Sequence, residues 1–351
     1  MAFTLTKLPW VALESLIRMF SYSEIFLLSL TSSSMKHLIQ DFHLKIPELT
    51  YCFLDEVMCV GFYPPHGDKV IIAEIASFEK FPMNGKWEQI EIGNLKGYFR
   101  YSIVDRNQSM FVRICYHESS PLLIRKFFLN HIQSLFRHLA QPCMEIGIDQ
   151  KLDCLPEGSF EMTFFRGLLA LSTKFVEHFY HKFPNQSNAI IFPILDGEIE
   201  NASALFHMKN VYMEMAGYFA QPLLAKFTGQ RLHIYMAYYE DQDIINFLEQ
   251  WSSKEKYLDV EAIRIYQEDP LNTVKVLDNT WAVSGIVGKH QLCPWDALER
   301  PQHYKLNSRV LGAIGDIEMV DCQHFFDIRR KDGKLASVAI LHSQFEFFVW
   351  P

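Results

Sequence analysis

The sequence predicts a mixed α+β and α/β protein in three segments: a helical unit over 1–46, a β-rich connector over 47–120, and a repeat-like α/β domain over 121–351 ending in a β-hairpin. Three observations carry that expectation. Apolar residues fall at helical spacing near the start. Short β-branched and aromatic runs separated by turn formers fill Leu49–His117. Strand-like segments then begin at Ala189, Asn210, Arg231 and Leu258, spaced 21, 21 and 27 residues apart.

In the first segment, Pro9 suits a first helical position, where its missing N–H costs nothing. Leu13, Leu16, Ile17 and Phe20 follow at i, i+3, i+4, i+7, the stripe of an amphipathic helix. Ser21 and Glu24 form a capping box for a second helix from Tyr22 through Leu30. The Thr31–Ser34 run breaks that helix and caps a third, with Met35, Leu38, Ile39 and Phe42 on one side. Three helices of this size cannot enclose a large core, so their apolar faces must meet either the rest of the chain or a partner.

The second segment changes period. Val57–Tyr63, Lys69–Ile75, Trp87–Ile92, Gly97–Val104 and Met110–Tyr116 read as strands, punctuated by Pro64–Asp68 and Met83–Lys86. Antiparallel hairpins are the economical arrangement.

From Pro121 onward helices and strands alternate. Helices are expected over Leu122–Ala140 and Phe164–Lys182, and a strand over Met144–Ile148. The later strand starts have the period of leucine-rich-repeat-like solenoids, without their leucine/asparagine ladder. Arg231–Ile265 is the clearest unit. Leu232, Ile234 and Met236 alternate; Asp241 and Asp243 place negative charge at a helix start; Ile244, Phe247, Leu248 and Trp251 share one face; Leu258, Val260 and Ile263 return as a strand. So short a strand–helix–strand implies parallel strands and a right-handed crossover. Near the end, Phe325–Arg330 and Leu335–Leu341 flank a turn in which Gly333 supplies positive φ.

Composition excludes several function classes. Among 351 residues, 33 Lys+Arg against 41 Asp+Glu give a net charge of −8, which argues against a nucleic-acid partner. With 49% hydrophobic and 14% aromatic residues, the chain can bury real cores. Seven scattered cysteines (52, 59, 115, 143, 154, 293, 322) without C-x-x-C spacing read as reduced thiols of a cytoplasmic or nuclear protein. The start lacks a signal-peptide pattern, and the apolar stretch Ile25–Leu30 is too short to span a bilayer, so no membrane association or secretion is expected and Asn107, Asn185 and Asn201 stay unglycosylated.

Two opening stretches, Leu8-Pro9-Trp10-Val11-Ala12-Leu13-Glu14-Ser15-Leu16-Ile17 and Glu24-Ile25-Phe26-Leu27-Leu28-Ser29-Leu30-Thr31-Ser32, resemble an F-box, closest to the short N-terminal version in nematode-type F-box proteins. Leu232–Ile265, above all Asn246–Trp251, and Phe326–Val338 are similar to that family's F-box-associated type 2 region. Together these islands touch about a quarter of the chain. The resemblance implies a three-helix F-box over 1–46 and a substrate-recruiting domain over 121–351. It also implies a non-catalytic substrate receptor of a Skp–cullin–F-box ubiquitin ligase, bound to a Skp-like adaptor and through it to a cullin-RING ligase, that recruits a protein target. Leu8, Pro9, Leu13, Leu16, Ile25, Leu28 and Ser32 match adaptor-facing positions of the motif. The chain departs from the family at Tyr22, where a proline is usual, and at Ser33, where a basic residue is usual. The alternative reading is a stand-alone protein-interaction scaffold that no longer binds the adaptor productively.

Enzyme signals are weak. Ser284-Gly285 lacks the first glycine of a nucleophile elbow, and no Walker A or G-x-G-x-x-G occurs, so no cofactor is expected. His290/Cys293 with Cys322/His324 have no standard zinc spacing, and no metal is assigned. Asp149/Asp153 and Asp241/Asp243 are paired carboxylates, the second pair explained by a helix cap; His178 and His181 suit a core or surface pair. Arg329, Arg330, Lys331 and Lys334 form a basic patch, read as a solvated hairpin tip or a contact for an acidic partner. Target-contacting candidates near the sheet edge are His233, Tyr235, Tyr238 and Tyr239, which equally suit the layer between sheet and helix.

Overall fold

The structure, a computed structural model, describes residues 8–46, 48–54, 57–63, 69–77, 88–92, 95–106, 109–116, 121–138, 141–147, 151–155, 157–167, 169–267, 271, 276, 300–306, 319–341 and 343–351. It is mixed α/β and divides into two units, Met1–Glu161 and Met162–Pro351. The helical segment, the β-rich segment and residues 121–161 share the first unit; the rest of the third segment forms the second.

In the first unit, α1 (Trp10–Met19), α2 (Tyr22–Ser29) and α3 (Ser33–Asp41) form where apolar spacing places them. The capping box is complete: Ser21 Oγ accepts from the Glu24 amide, and the Glu24 carboxylate accepts from the Ser21 amide at 2.7 Å. Ser32 Oγ caps α3 by accepting from the Met35 amide at 3.1 Å.

A two-residue β1 (Lys45–Ile46) leads into β2 (Thr50–Leu54), β3 (Val57–Phe62), β4 (Val70–Ser77), β5 (Glu88–Ile92), β6 (Leu95–Arg106) and β7 (Ser109–Tyr116). Helix α4 (Pro121–Leu135), a short β8 (Arg137–His138) paired with β1, and β9 (Cys143–Gly147) complete the unit. Its sheet runs β9-β2-β3-β4-β7-β6-β5. Antiparallel hairpins were expected over Leu49–His117; β2–β3, β3–β4, β5–β6 and β6–β7 are antiparallel, but β4–β7 is parallel, and β2 also pairs in parallel with β9 from beyond that segment. The β5–β6 hairpin lies outside β7, which therefore returns beside β4 in the same direction. Strand β2 carries no alternation signal because Thr50, Tyr51, Cys52 and Phe53 are all buried. The expected turns at Pro64–Asp68 and Met83–Lys86 lie outside the described residues.

The second unit starts with β10 (Met162–Arg166) and a short β11 (Leu171–Ser172), followed by α5 (Thr173–Lys182), β12 (Asn188–Ile191), a short β13 (Leu195–Asp196) and β14 (Asn210–Met213). Helix α6 (Ala220–Lys226), β15 (Arg231–Ala237), α7 (Asp241–Ser252) and β16 (Ala262–Gln267) continue the alternation. Strands β10, β12, β14, β15 and β16 are successive parallel neighbours. The parallel pairing expected within Arg231–Ile265 is present, with α7 set on the sheet through Phe247 and Trp251.

Three boundaries differ. The helix expected over Leu122–Ala140 stops at Leu135, since Arg137–His138 pair as β8 with β1. Residues Phe164–Arg166 are strand, not helix, because the Met162–Phe165 run is buried on both faces as a parallel strand requires; the helix begins only at Thr173. Leu258 is exposed in a turn where Lys254 and Tyr257 have positive φ, and the strand begins at Ala262.

A small pair, β17 (His303–Lys305) and β18 (Met319–Asp321), packs Tyr304, Leu306 and the nearby Cys322 against Ala262, Phe348 and Trp350. The terminal hairpin joins β19 (Phe326–Arg329) to β20 (Leu335–Leu341), with Gly333 at φ +91° as its turn demands. A further strand, β21 (Gln344–Val349), inserts antiparallel between β20 and β16.

Candidate functional site

In the first unit, α2 turns its apolar face inward. Phe26 meets Phe128 edge-to-face at 5.7 Å and the His131 ring at 5.8 Å; Tyr22 packs between Phe62 and Phe136. Ser29 Oγ donates to the Phe26 carbonyl at 2.6 Å, so its lone pairs are left for His131 Nε2–H at 2.8 Å. Burial, reinforced by Lys36, holds the His131 pKa down at about 3. The rest-of-chain option anticipated for these helices is thus realised for α2.

Helix α1 is different. Leu13 and Ile17 point inward, and Trp10 leans on Phe42 at 4.7 Å, yet Trp10, Val11 and Met19 remain 50%, 73% and 81% exposed. Val11, Ser15 and Met19 repeat at i, i+4, i+8, with half-buried Leu8 and Leu16 beside them. Of the adaptor-facing positions expected from sequence, Pro9 and Ser32 are exposed; Leu8, Leu16 and Leu28 are half-buried; Leu13 and Ile25 are buried inside their own unit. Val11 and Met19 were not singled out, although each lies on the outward side of the same helical wheel.

In the second unit a crevice of about 630 Å³ opens where the chain leaves the carboxyl ends of β14 and β15. Open parallel sheets commonly bind ligands beyond strand carboxyl ends. Its walls are mainly Ile194, Met215, Tyr218, Phe219, Met236 and Tyr238. A bulge between Ile234 and Ala237, with Met236 at φ +48°, turns the Met236 side chain outward. Gly217, at φ +51°, brings the facing loop alongside: its amide donates to the Met236 carbonyl at 2.9 Å and its carbonyl accepts from Tyr238 at 3.1 Å. Tyr218, 78% exposed, stacks on Tyr238 at 4.8 Å. Lys226, also lining the crevice, donates to Asn201 Oδ1 at 2.6 Å and lies over Phe206.

The four target-contact candidates separate. Tyr238 lines the crevice; Tyr235 is stacked on Tyr266 at 4.4 Å; Tyr239 is buried, its hydroxyl donating to the Ala220 carbonyl at 2.6 Å. His233 is buried with neither ring nitrogen hydrogen-bonded, and burial plus Arg264 and Arg231 lowers its pKa to about 3. Tyr218, Met236 and Ile194 were missed as contacts because they sit at strand ends and in links, where periodicity is silent; Gly217 was the available signal.

The basic patch is broken up. Arg330 is buried, donating to Asp332 at 2.9 and 3.0 Å and lying over Trp251 at 5.4 Å, while Arg329, Lys331 and Lys334 are exposed. Asp243 serves as a cap, accepting from the Glu240 amide and from Gln221. His178 and His181 are exposed, as is Asp153. Asp149, Ser284, Gly285, His290 and Cys293 lie outside the described residues. Among the described residues no group of His, Cys, Asp and Glu could hold a metal ion, and no helix is long and apolar enough to cross a membrane. Comparison with protein-family models, characterised proteins and solved structures finds no match to this chain.

Proposed function

We propose that the chain is a substrate receptor of a Skp–cullin–F-box ubiquitin ligase, docking a Skp-like adaptor through the helices of residues 8–46 and a protein target through its second unit. The observation that carries this reading is the outward apolar stripe of α1, with Trp10, Val11 and Met19 exposed in the segment that resembles an F-box. A helix that turns one apolar side into its own unit and keeps another outward has surface left for a partner. A standard interface buries about 800 Å² per partner around a few anchors, and an exposed Trp–Val–Met set supplies such anchors. In this reading Leu13 and Ile25 shape the helices from within, while Leu8, Pro9, Leu16, Leu28 and Ser32 lie within the adaptor's reach.

The target seats at the aromatic and methionine-rich crevice beyond β14 and β15, in a domain we read as leucine-rich-repeat-like. Met and Tyr suit adaptable recognition of side chains. The chain contributes positioning and no bond chemistry of its own.

Capture of the purified full-length chain by a purified Skp-like adaptor tests the reading. Val11→Asp with Met19→Asp is expected to abolish capture while leaving the circular dichroism spectrum unchanged; Lys331→Ala is expected to leave both intact. Undiminished capture by the folded double variant sinks the docking surface. The second reading, a scaffold without adaptor binding, draws on Tyr22, whose hydroxyl donates to the Lys45 carbonyl and whose ring is wedged between Phe62 and Phe136. No capture of the unmodified chain selects that reading.

A further inference from the structure

In the first unit the strand register aligns a row of polar side chains across five strands. Glu145 of β9 stands opposite Cys52 of β2, Cys52 opposite Cys59 of β3, Cys59 opposite Glu74 of β4, and Glu74 opposite Arg113 of β7. Directly paired residues of antiparallel strands have Cα atoms about 4.5–5.5 Å apart, inside the span that a disulfide bridges. Both thiols are reduced and buried, with Cys59 the more open at 7% exposure.

The surroundings are not those of an inert core thiol. Lys69 Nζ lies against Cys52 Sγ and pairs with Glu145 at 2.8 Å; Glu145 Oε2 is also 3.3 Å from Cys52 Sγ, and the Tyr63 hydroxyl donates to that oxygen at 3.4 Å. A fixed ammonium and a neighbouring S–H donor both favour a thiolate. Hydrogen bonding from Cys52 and the Lys69 charge hold Cys59 below its ordinary range, while burial pushes Cys52 up. The two sulfurs thus differ, Cys59 being the more acidic and the less deeply buried of the pair.

We propose that Cys52 and Cys59 form an oxidisable dithiol that reduces hydrogen peroxide and closes as a cross-strand disulfide, with Lys69 as the positioning cation. The Cys59 thiolate attacks one peroxide oxygen; the S–O bond forms, the O–O bond breaks, and the leaving hydroxide takes a proton to become water. Cys52 then gives up its thiol proton and attacks the Cys59 sulfenic acid sulfur; the S–S bond forms, the S–O bond breaks, and that oxygen leaves as a second water. Each turnover oxidises two thiols and consumes one peroxide. The inference does not depend on the adaptor or on the crevice.

Residues 46–69 form one tryptic peptide holding both cysteines and no other. The full-length reduced chain, treated with hydrogen peroxide, blocked with N-ethylmaleimide and digested, is expected to yield this peptide two hydrogens lighter and without maleimide. Dithiothreitol should restore two labelled thiols. Cys52→Ser is expected to trap Cys59 as a dimedone-reactive sulfenic acid. Lys69→Met, whose peptide extends to Lys80, should slow closure by about tenfold at neutral pH, because the cation that favours the thiolate is gone. Two maleimides on this peptide while cysteines elsewhere oxidise would overturn the proposal, as would direct passage to sulfonic acid. These outcomes are read on the unmodified chain and need no variant to fold.

Discussion

Arg330 shows how much a single side chain's meaning depends on what lies across from it. In sequence it is one of four cations around a turn; in space it is fixed to Asp332, to the Leu258 carbonyl and to the Trp251 face, while its three neighbours point to solvent. The Arg330 guanidinium holds the Asp332 carboxyl well below the usual range, with further help from the Lys334 amide and Lys254. Arg330→Ala is therefore expected to lower stability by about 2 kcal/mol through lost cation–π and carbonyl contacts, against about 0.5 kcal/mol or less for Lys331→Ala, in urea unfolding. Charge was legible in the sequence; the partner on a loop over seventy positions away was not.

At the scale of elements, local rules worked wherever neighbours on the chain decide the outcome. Ser21, Glu24 and Ser32 are such cases, since a cap involves residues three apart. Ser21→Ala should cost about 1 kcal/mol in thermal unfolding, and a Ser21→Asn variant should recover most of it. Helix α7 was equally legible because its four apolar positions meet one face, where Phe247 contacts Tyr257 and Phe347 at 4.7 and 5.0 Å and Trp251 contacts Phe347 at 5.0 Å. Trp251→Ala is expected to destabilise by about 3–5 kcal/mol, since it removes the largest fully buried side chain among the described residues. Strands β2, β10 and β21 escaped notice for the opposite reason. Fully buried runs lose the alternation that marks a strand, and for such runs length and flanks alone separate strand from helix. The crevice was only half visible for a related reason: Tyr238 could be named from its place after β15, but the bulge that swings Met236 outward is a property of pairing between strands.

At the scale of the whole molecule, the described residues of each unit include one buried neutral histidine, His131 in the first and His233 in the second, with folded pKa values lowered to about 3 from 6.5. Unfolding lets each take up a proton at any pH between those values, so stability is retained above about pH 6.5 and falls as pH drops toward 3. At pH 5 the loss is about 2 kcal/mol for each. Melting temperatures measured from pH 7 to 5 should fall steadily, and His233→Phe, which keeps the ring volume without the titration, should flatten that slope for the second unit.

The pairing of β16 with β21 carries a consequence for how the second unit is assembled. Ile263 faces Phe347 across about 80 intervening residues, a separation that makes loop closure slow. Until that partner arrives, the parallel stack ends in an open edge bearing Ile263 and Ile265, ready to accept a strand from another molecule. Refolding yield should therefore drop as protein concentration rises, and a synthetic peptide spanning residues 344–349 should compete with that self-association.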